Sequence, residues 1–335
     1  MKKHLYILLA AVMFVALNPV QVKAQPHRDA VIYTFFLNVA PDGWYAPQVG
    51  FINRGMGNFE SAQVGFINSV GGYLNGAQAG FVNTVDQTTN GIQMGFVNVT
   101  GESLNGIGIG FVNTVGNHTA GIQAGFVNST GANLDGIQVG FVNVAGREVE
   151  GPQVGFVNTA GRLNGFQLGF VNVCDTLESG FPLGFISVVR RGGYKALGVY
   201  ADEMSPLNLS FRIGIKKLYT AIQAGYFENN YHKVSFGAAI GTIVPIREGF
   251  FFNPELSTMS HVLAPQTVQQ NSSLIAAVGY DVNSNLHVMA GPSISWNRTM
   301  SNADMITPYF SFGSHVWNTA NRFDIGFKAG LYYTL

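Results

Sequence analysis

Residues 135–145 read Asp135-Gly136-Ile137-Gln138-Val139-Gly140-Phe141-Val142-Asn143-Val144-Ala145. The phrase inside them, Gln-x-Gly-Phe-[Val/Ile]-Asn, decides the fold because the chain repeats it ten times. The Phe falls at 51, 66, 81, 96, 111, 126, 141, 156, 170 and 185, a spacing of fifteen residues with one step of fourteen. Gly precedes every one of these Phe residues, Asn follows nine of them by two positions, and Gln precedes eight by three. A short fixed period with matched side chains is the mark of stacked repeats.

Period-2 alternation groups Ile137, Val139 and Phe141 on one face of an extended strand and Gln138, Gly140 and Val142 on the other. Asn-Gly or Asp-Gly pairs start at Asn75, Asn90, Asn105, Asp135 and Asn164. Both dipeptides tolerate positive φ and mark tight turns. One coil is then a strand of about eight residues and a turn of six or seven. The missing residue falls near Arg162, in the turn, where a change of length spares the strand phrase.

Two arrangements hold identical strands. Coils stacked in parallel would set Phe on Phe, Gln on Gln and Asn on Asn every ~4.8 Å, so that ten coils make a rod roughly 50 Å long. Alternatively each repeat is one strand of an antiparallel sheet or membrane barrel, where short turns and long loops should alternate. The connections here are nearly equal in length, and amide ladders reward like-on-like stacking, which favours the solenoid. Gly before Phe leaves room for close backbone approach or for a neighbouring ring. The candidate ligand-facing rows are Gln63, Gln78, Gln93, Gln123, Gln138 and Gln153, with Asn68, Asn83, Asn98, Asn113, Asn128, Asn143 and Asn158. Facing water, they would form a repeated binding surface. Facing inward, their amides would satisfy backbone groups, the ordinary use of Asn at bends.

The flanking chain is of a different kind. Residues 1–24 read as an export signal: Lys2 and Lys3, an apolar run, then Val22-Lys23-Ala24 as a cleavage site. Residues 25–45 are a lead-in whose strand-like stretch 31–39 is expected to cap the repeats, which occupy 46–190. Only 11% of residues are charged and the net charge is zero, which argues against nucleic acid as a partner. The single cysteine, Cys174, excludes a disulfide framework and reads as a small buried side chain. With 42 Gly, 26 Phe and 13 Tyr, the composition suits an exported all-β protein. No segment beyond the signal approaches the roughly 20 apolar residues of a membrane helix.

From Tyr194 the pattern becomes longer alternating strands. Leu207, Leu209, Phe211, Ile213 and Ile215 alternate with Asn208, Ser210, Arg212 and Gly214; Phe323, Ile325 and Phe327 alternate with Asp324, Gly326 and Lys328. An apolar outside and a polar, charged inside are what a membrane barrel strand needs. Nine candidate strands cover 194–202, 206–216, 218–228, 231–242, 249–258, 272–281, 285–296, 307–317 and 321–333. Connections 257–271 and 297–306 look long, whereas 282–285 and 318–321 look short. The expected fold is therefore all-β: a 15-residue-repeat β-solenoid followed, over 194–335, by an antiparallel β-barrel of about 8–10 strands.

The tandem phrase, as in Gly136–Gly146 and Gly165–Asp175, resembles the surface-repeat proteins of spirochaetes and Bacteroidetes-type Gram-negative bacteria, which carry tandem G-x-Q-x-G-[FL]-[VI]-N units. The stretch around Gly192-Gly193-Tyr194 looks like their join to a C-terminal β domain. The resemblance implies an envelope location and brings no assigned reaction, cofactor or ligand.

Chemistry is not legible. The histidines at 4, 27, 118, 232, 261, 287 and 315 lack metal-ligand spacing, and no metal or cofactor is expected. Gly106-Ile107-Gly108-Ile109-Gly110 is the repeat with Gly108 in place of Gln, not a nucleotide loop. Repeat carboxylates (Asp86, Glu102, Asp135, Glu148, Glu150) sit at scattered turn positions, and Asp202-Glu203 reads as a loop or barrel-rim pair. The expectation is an exported, non-enzymatic envelope protein, structural or adhesive, anchored by its barrel at the outer membrane or cell surface. Its partners would be outer-membrane lipid and a glycan or protein at the surface. The rivals are an outer-membrane channel or transporter whose repeats form barrel strands, and a glycan-active β-helix enzyme.

Overall fold

The computed structural model describes residues 32–226, 234–264, 267–299 and 305–335. The export-signal segment lies outside these residues. No helix occurs among them, and the strands fall into two sheets, one mostly parallel and one antiparallel. The repeats stack as a parallel β-solenoid. Asn83 pairs with Asn98, Asn98 with Asn113, Asn113 with Asn128 and Asn128 with Asn143, each at the same height in successive coils. The repeats contribute no strand to the barrel, which removes that form of the channel rival.

The ladder starts one rung earlier than the repeated phrase does. Leu37–Ala40 runs parallel to Ile52–Gly55, and the Phe36 ring stacks on Phe51 with centroids 5.3 Å apart. Ile32–Tyr33 then folds back antiparallel on that rung and covers part of its edge. At the opposite end the fourteen-residue step is absorbed not in a turn but by a register shift inside the paired strands Ile137–Val149 and Val157–Leu163: Ala145 pairs with Ala160 but Glu148 with Arg162.

Within one coil, strict alternation fails at Phe141. Gln138 and Asn143 are fully buried, while Phe141 is 45% exposed and Val142 is half-buried on the outside rather than grouped with Gln138. Five positions separate the two inward amides, an odd number, so the chain must bend at Gly140-Phe141. The glycine is required there by close backbone approach. A Cβ on Gly125 would strike the Gly110 carbonyl of the preceding coil and the Asn113 amide. Apolar rows complete the interior: Leu74, Leu104 and Leu134 in one column, Val85, Val115 and Ala145 in another, with Cys174 continuing the second. The Asn-Gly pairs at Gly91 (φ 146°) and Gly106 (φ 152°) do take positive φ, but within the strands Thr89–Thr100 and Ser103–Val115 rather than in separate tight turns.

Eight strands close the barrel: Tyr194–Ala201, Leu207–Ile215, Leu218–Tyr226, Val234–Gly241, Phe250–Ala264, Thr267–Asp281, Leu286–Thr299 and Asn321–Thr334. The first pairs with the last, Tyr200 opposite Gly330, which leaves no open edge in the ring. The ninth candidate, 307–317, is the odd one out: its strand, Ser311–Asn318, pairs with Asn321–Thr334 alone and stays outside the ring. The long connection expected over 257–271 is instead the far part of a hairpin, with Ser257 paired to Ser273 and Met259 to Asn271. Its His261, Gln269 and Asn271 are inward strand positions, which a polar interior accepts as readily as a loop would, while Thr258 and Gln270 face out.

The two units share a core. Ile215 is 4% exposed, unlike the outward Leu209 and Phe211 of the same strand, because it packs on Leu163, Cys174 and Val189 of the last coils. Leu218 and Phe181 pack against the same cluster. The turn between the second and third barrel strands therefore closes the C-terminal end of the solenoid, as stacked repeats require of their last coil.

Candidate functional surfaces

The rows singled out as a ligand-facing ladder are inside the solenoid. Every one of Gln63, Gln78, Gln93, Gln123, Gln138 and Gln153, and of Asn68, Asn83, Asn98, Asn113, Asn128, Asn143 and Asn158, is at most 2% exposed. The ligand-facing reading is corrected accordingly: no molecule outside can reach these amides. The asparagines form one unbroken chain from Asn38 to Asn172, each Nδ2 donating to the Oδ1 of the next coil at 2.7–2.9 Å. The same nitrogen also donates to a backbone carbonyl, as Asn128 does to Val139 at 2.9 Å. The glutamines run the other way. Gln78 Nε2 donates back to Gln63 Oε1 at 2.8 Å and Gln138 to Gln123 at 2.7 Å. Two buried ladders of opposite sense thus set their amide dipoles against each other along the rod.

The interruptions are as informative as the runs. Gly108 breaks the glutamine ladder; Thr100 and Thr130 in the flanking coils donate to Gln93 Oε1 at 2.9 Å and Gln123 Oε1 at 3.0 Å. At the C-terminal end Pro182 and Ser187 replace the next Gln and Asn. Gln167 Oε1 and Asn172 Nδ2 are consequently left without a partner, one acceptor and one donor, as the two ladder directions dictate.

Outside, the solenoid is apolar along a ridge. The repeated Phe rings are 44–47% exposed and stack face to face, with centroids 4.9–5.1 Å apart from Phe51 to Phe185. On one flank lie the columns of Ile137 and Val139, on the other the column of Val142. In all ten copies these four columns hold only Ala, Ile, Leu, Met, Phe, Pro and Val. At ~3.3 Å per strand residue the ridge is about 17 Å wide and about 50 Å long, roughly 800 Å², above the few hundred Å² that monomers ordinarily expose. Charged side chains stay out of these four columns, as with Arg162 and Glu178 at 3.2 Å and Arg190 and Asp175 at 2.9 Å.

The barrel shows the same inversion. Leu197, Leu209, Ile222, Phe236, Leu274, Ile294 and Ile325 point outward, and the interior holds two ionic clusters beside buried apolar and aromatic side chains such as Phe251, Ile275 and Met289. In one, Glu255 Oε2 accepts from Arg212 and from the Tyr219 hydroxyl, each at 2.7 Å, while Oε1 accepts from Lys328. Arg212 lies 3.8 Å from the Tyr332 ring centre and Lys328 lies 3.9 Å from that of Tyr200. The space among Arg212, Glu255, Met289, Lys328 and Tyr332 has no volume that a water could occupy.

In the second cluster, Asp324 accepts from Arg322 at 2.8 Å and Asn297 at 2.7 Å, and Glu203 accepts from Ser293 at 2.6 Å. Among the described residues, three buried cations (Arg212, Arg322, Lys328) thereby balance three buried anions (Glu203, Glu255, Asp324). The acidic pair Asp202-Glu203 lies in the loop between the first two barrel strands and splits. Asp202 caps its own turn, accepting from Met204 and Ser205 nitrogens at 3.0 and 2.8 Å, whereas Glu203 turns inward.

A cavity of about 360 Å³ opens at the barrel end nearer the solenoid, lined in part by Tyr194, Lys216, Arg247, Asp281 and His287. His287 Nδ1 meets Asp281 at 2.7 Å and its Nε2 meets the Thr334 hydroxyl at 2.7 Å. Acid, imidazole and hydroxyl stand in the order of a nucleophilic triad, but Thr334 is not part of the cavity lining. The relay instead ties the hairpin at Asp281 to the end of the last strand. Sequence reading missed it because Asp281 and His287 are paired only by that hairpin's register. Cys174 is fully buried; burial first, and Asp175 second, push its thiol up to about 11. No group of His, Cys, Asp and Glu among the described residues is arranged to hold a metal. No family model, curated protein or solved structure matches the chain.

Proposed function

We propose that the protein is an exported, non-enzymatic component of a Gram-negative cell envelope, held in the outer membrane by its barrel and carrying the solenoid as a structural or adhesive rod. The observation that carries this reading is the barrel's inversion: eight closed strands, apolar outward, around a charge-balanced interior. Such a cylinder satisfies its backbone without an edge and presents hydrocarbon to its surroundings, as a strand-built membrane span must. The packed ionic clusters favour an anchor over a channel, because no free volume remains around Glu255. The burial of the Gln and Asn rows leaves the outer ridge and the turns as the rod's contact surfaces.

The test is membrane fractionation of cells producing the full chain, with gel mobility compared before and after boiling. Recovery in the outer-membrane fraction with a heat-dependent mobility shift is expected. Recovery as a soluble protein without a shift would overturn the anchor.

A further inference from the structure

We infer that the solenoid lies against a lipid bilayer, with its phenylalanine ridge inserted among the acyl chains and its charged side chains in water. This rests on the reading of the barrel as a membrane anchor and adds to it where the rod goes. Three observations point to lipid rather than to another protein surface.

The first is composition. Four columns in ten coils contain no polar side chain, whereas Asp86, Glu102, Asp135, Arg147, Glu148 and Glu150 all lie in other columns of the coil. A surface divided in this way along its whole length has the amphipathic logic of an interfacial helix, whose apolar face sinks about 5–10 Å into the headgroup and acyl boundary. The second is shape. The chain bends at Gly-Phe, so two apolar flanks meet at an edge whose apex is the stacked ring column. A rigid second copy laid on one flank leaves the other in water, whereas a fluid wraps both. The third is backbone satisfaction. Each coil bonds its peptide groups to the coils on either side, and the amide ladders occupy the interior, so the ridge offers acyl chains no unsatisfied polar group. The anchor makes the site accessible, since the barrel turn at Ile215 and Leu218 is packed directly on the last coils.

The test uses the full chain reconstituted in phosphatidylcholine vesicles, with or without bromine on the acyl chains, and one bimane-labelled cysteine at a time. Cys174 is buried with a raised thiol pKa and stays unlabelled. Reporters sit on the ridge (Ile109→Cys and Val139→Cys), on a turn (Glu102→Cys) and on the barrel exterior (Leu209→Cys). Loss of bimane fluorescence in brominated vesicles is expected at 109, 139 and 209 and not at 102. Quenching at 209 alone, with 109 and 139 open to aqueous iodide, leaves the barrel standing and overturns the inference. Shielding of 109 and 139 from both iodide and bromine overturns it in favour of a second copy. Absence of quenching at 209 removes the barrel reading and this inference together.

Discussion

Asn113 donates its side-chain amide to Asn128 Oδ1 at 2.9 Å, and the same nitrogen reaches the Ala124 carbonyl at 3.0 Å. One side chain therefore stitches its coil to the next twice, in a place water cannot enter. Asn113→Ala leaves the Asn128 oxygen and the Ala124 carbonyl without those donors and removes the acceptor for Asn98. Unsatisfied buried polar groups cost about 1–3 kcal/mol each, partly relieved by relaxation, so a loss of about 3 kcal/mol is expected. Stacked repeats respond locally. Hydrogen exchange should therefore accelerate most in the coils on either side of residue 113 and least near Asn53.

Gly108 offers the opposite experiment. A Cβ built there meets only Asn113 Oδ1 at 3.3 Å and Leu104 at 3.5 Å, both side-chain atoms, unlike the backbone clash at Gly125. Gly108→Gln should donate to Gln93 Oε1 and accept from Gln123 Nε2, joining the two halves of the glutamine ladder. Two buried hydrogen bonds and the loss of a glycine's unfolded-state freedom stabilise by about 1–2 kcal/mol. A higher urea midpoint is the expected readout, and a lower one would mean that the gap at Gly108 is needed by the Thr100 and Thr130 hydroxyls.

These two positions also show how far the sequence could be read. The coil period and its parallel stacking were legible because ten copies fix them independently of what each side chain does, whereas the missing residue turned out to sit in a strand irregularity rather than a turn. Which side of the strand faces inward stayed open between a water-facing amide surface and inward amides bonded to backbone; the structure takes the second, and only the register at a fifteen-residue repeat also makes the amides one another's partners. Phe36 escaped because Phe35 and Tyr33 stand where the phrase has Gly and Gln, although the ring still stacks. In the barrel, Gln269 and Asn271 read as loop from polarity, yet they are inward residues of a strand whose interior is itself polar.

Cys174 supplies a pH prediction. Burial raises its thiol from 9.0 to about 11, so the folded state disfavours the thiolate relative to the unfolded chain. The associated stability is complete below about pH 8.5, the ordinary thiol range, and is lost as pH rises through that range toward 11. The thiolate is the form that reacts. Iodoacetamide at pH 8 should therefore leave Cys174 unmodified in the folded protein and label it fully after denaturation, read by intact mass. Stoichiometric labelling without denaturant would show that the last coils open readily.

Glu255 holds the barrel prediction. It is 2% exposed and is the anion between Arg212 and Lys328, so Glu255→Gln leaves two buried cations facing one neutral amide. Removing one partner of a buried ion pair costs about 3–5 kcal/mol, because the remaining charge stays out of water. Stacking on Tyr332 and Tyr200 offsets part of that for Arg212 and Lys328. The heat-modified gel band should accordingly appear at a lower temperature in Glu255→Gln than in the parent. Adding Lys328→Met, which removes one of the two cations together with its charge, should recover part of the loss. An unchanged transition in the single variant would mean that water reaches the cluster and that the barrel interior is less tightly filled than the Arg212–Glu255 distance of 2.7 Å implies.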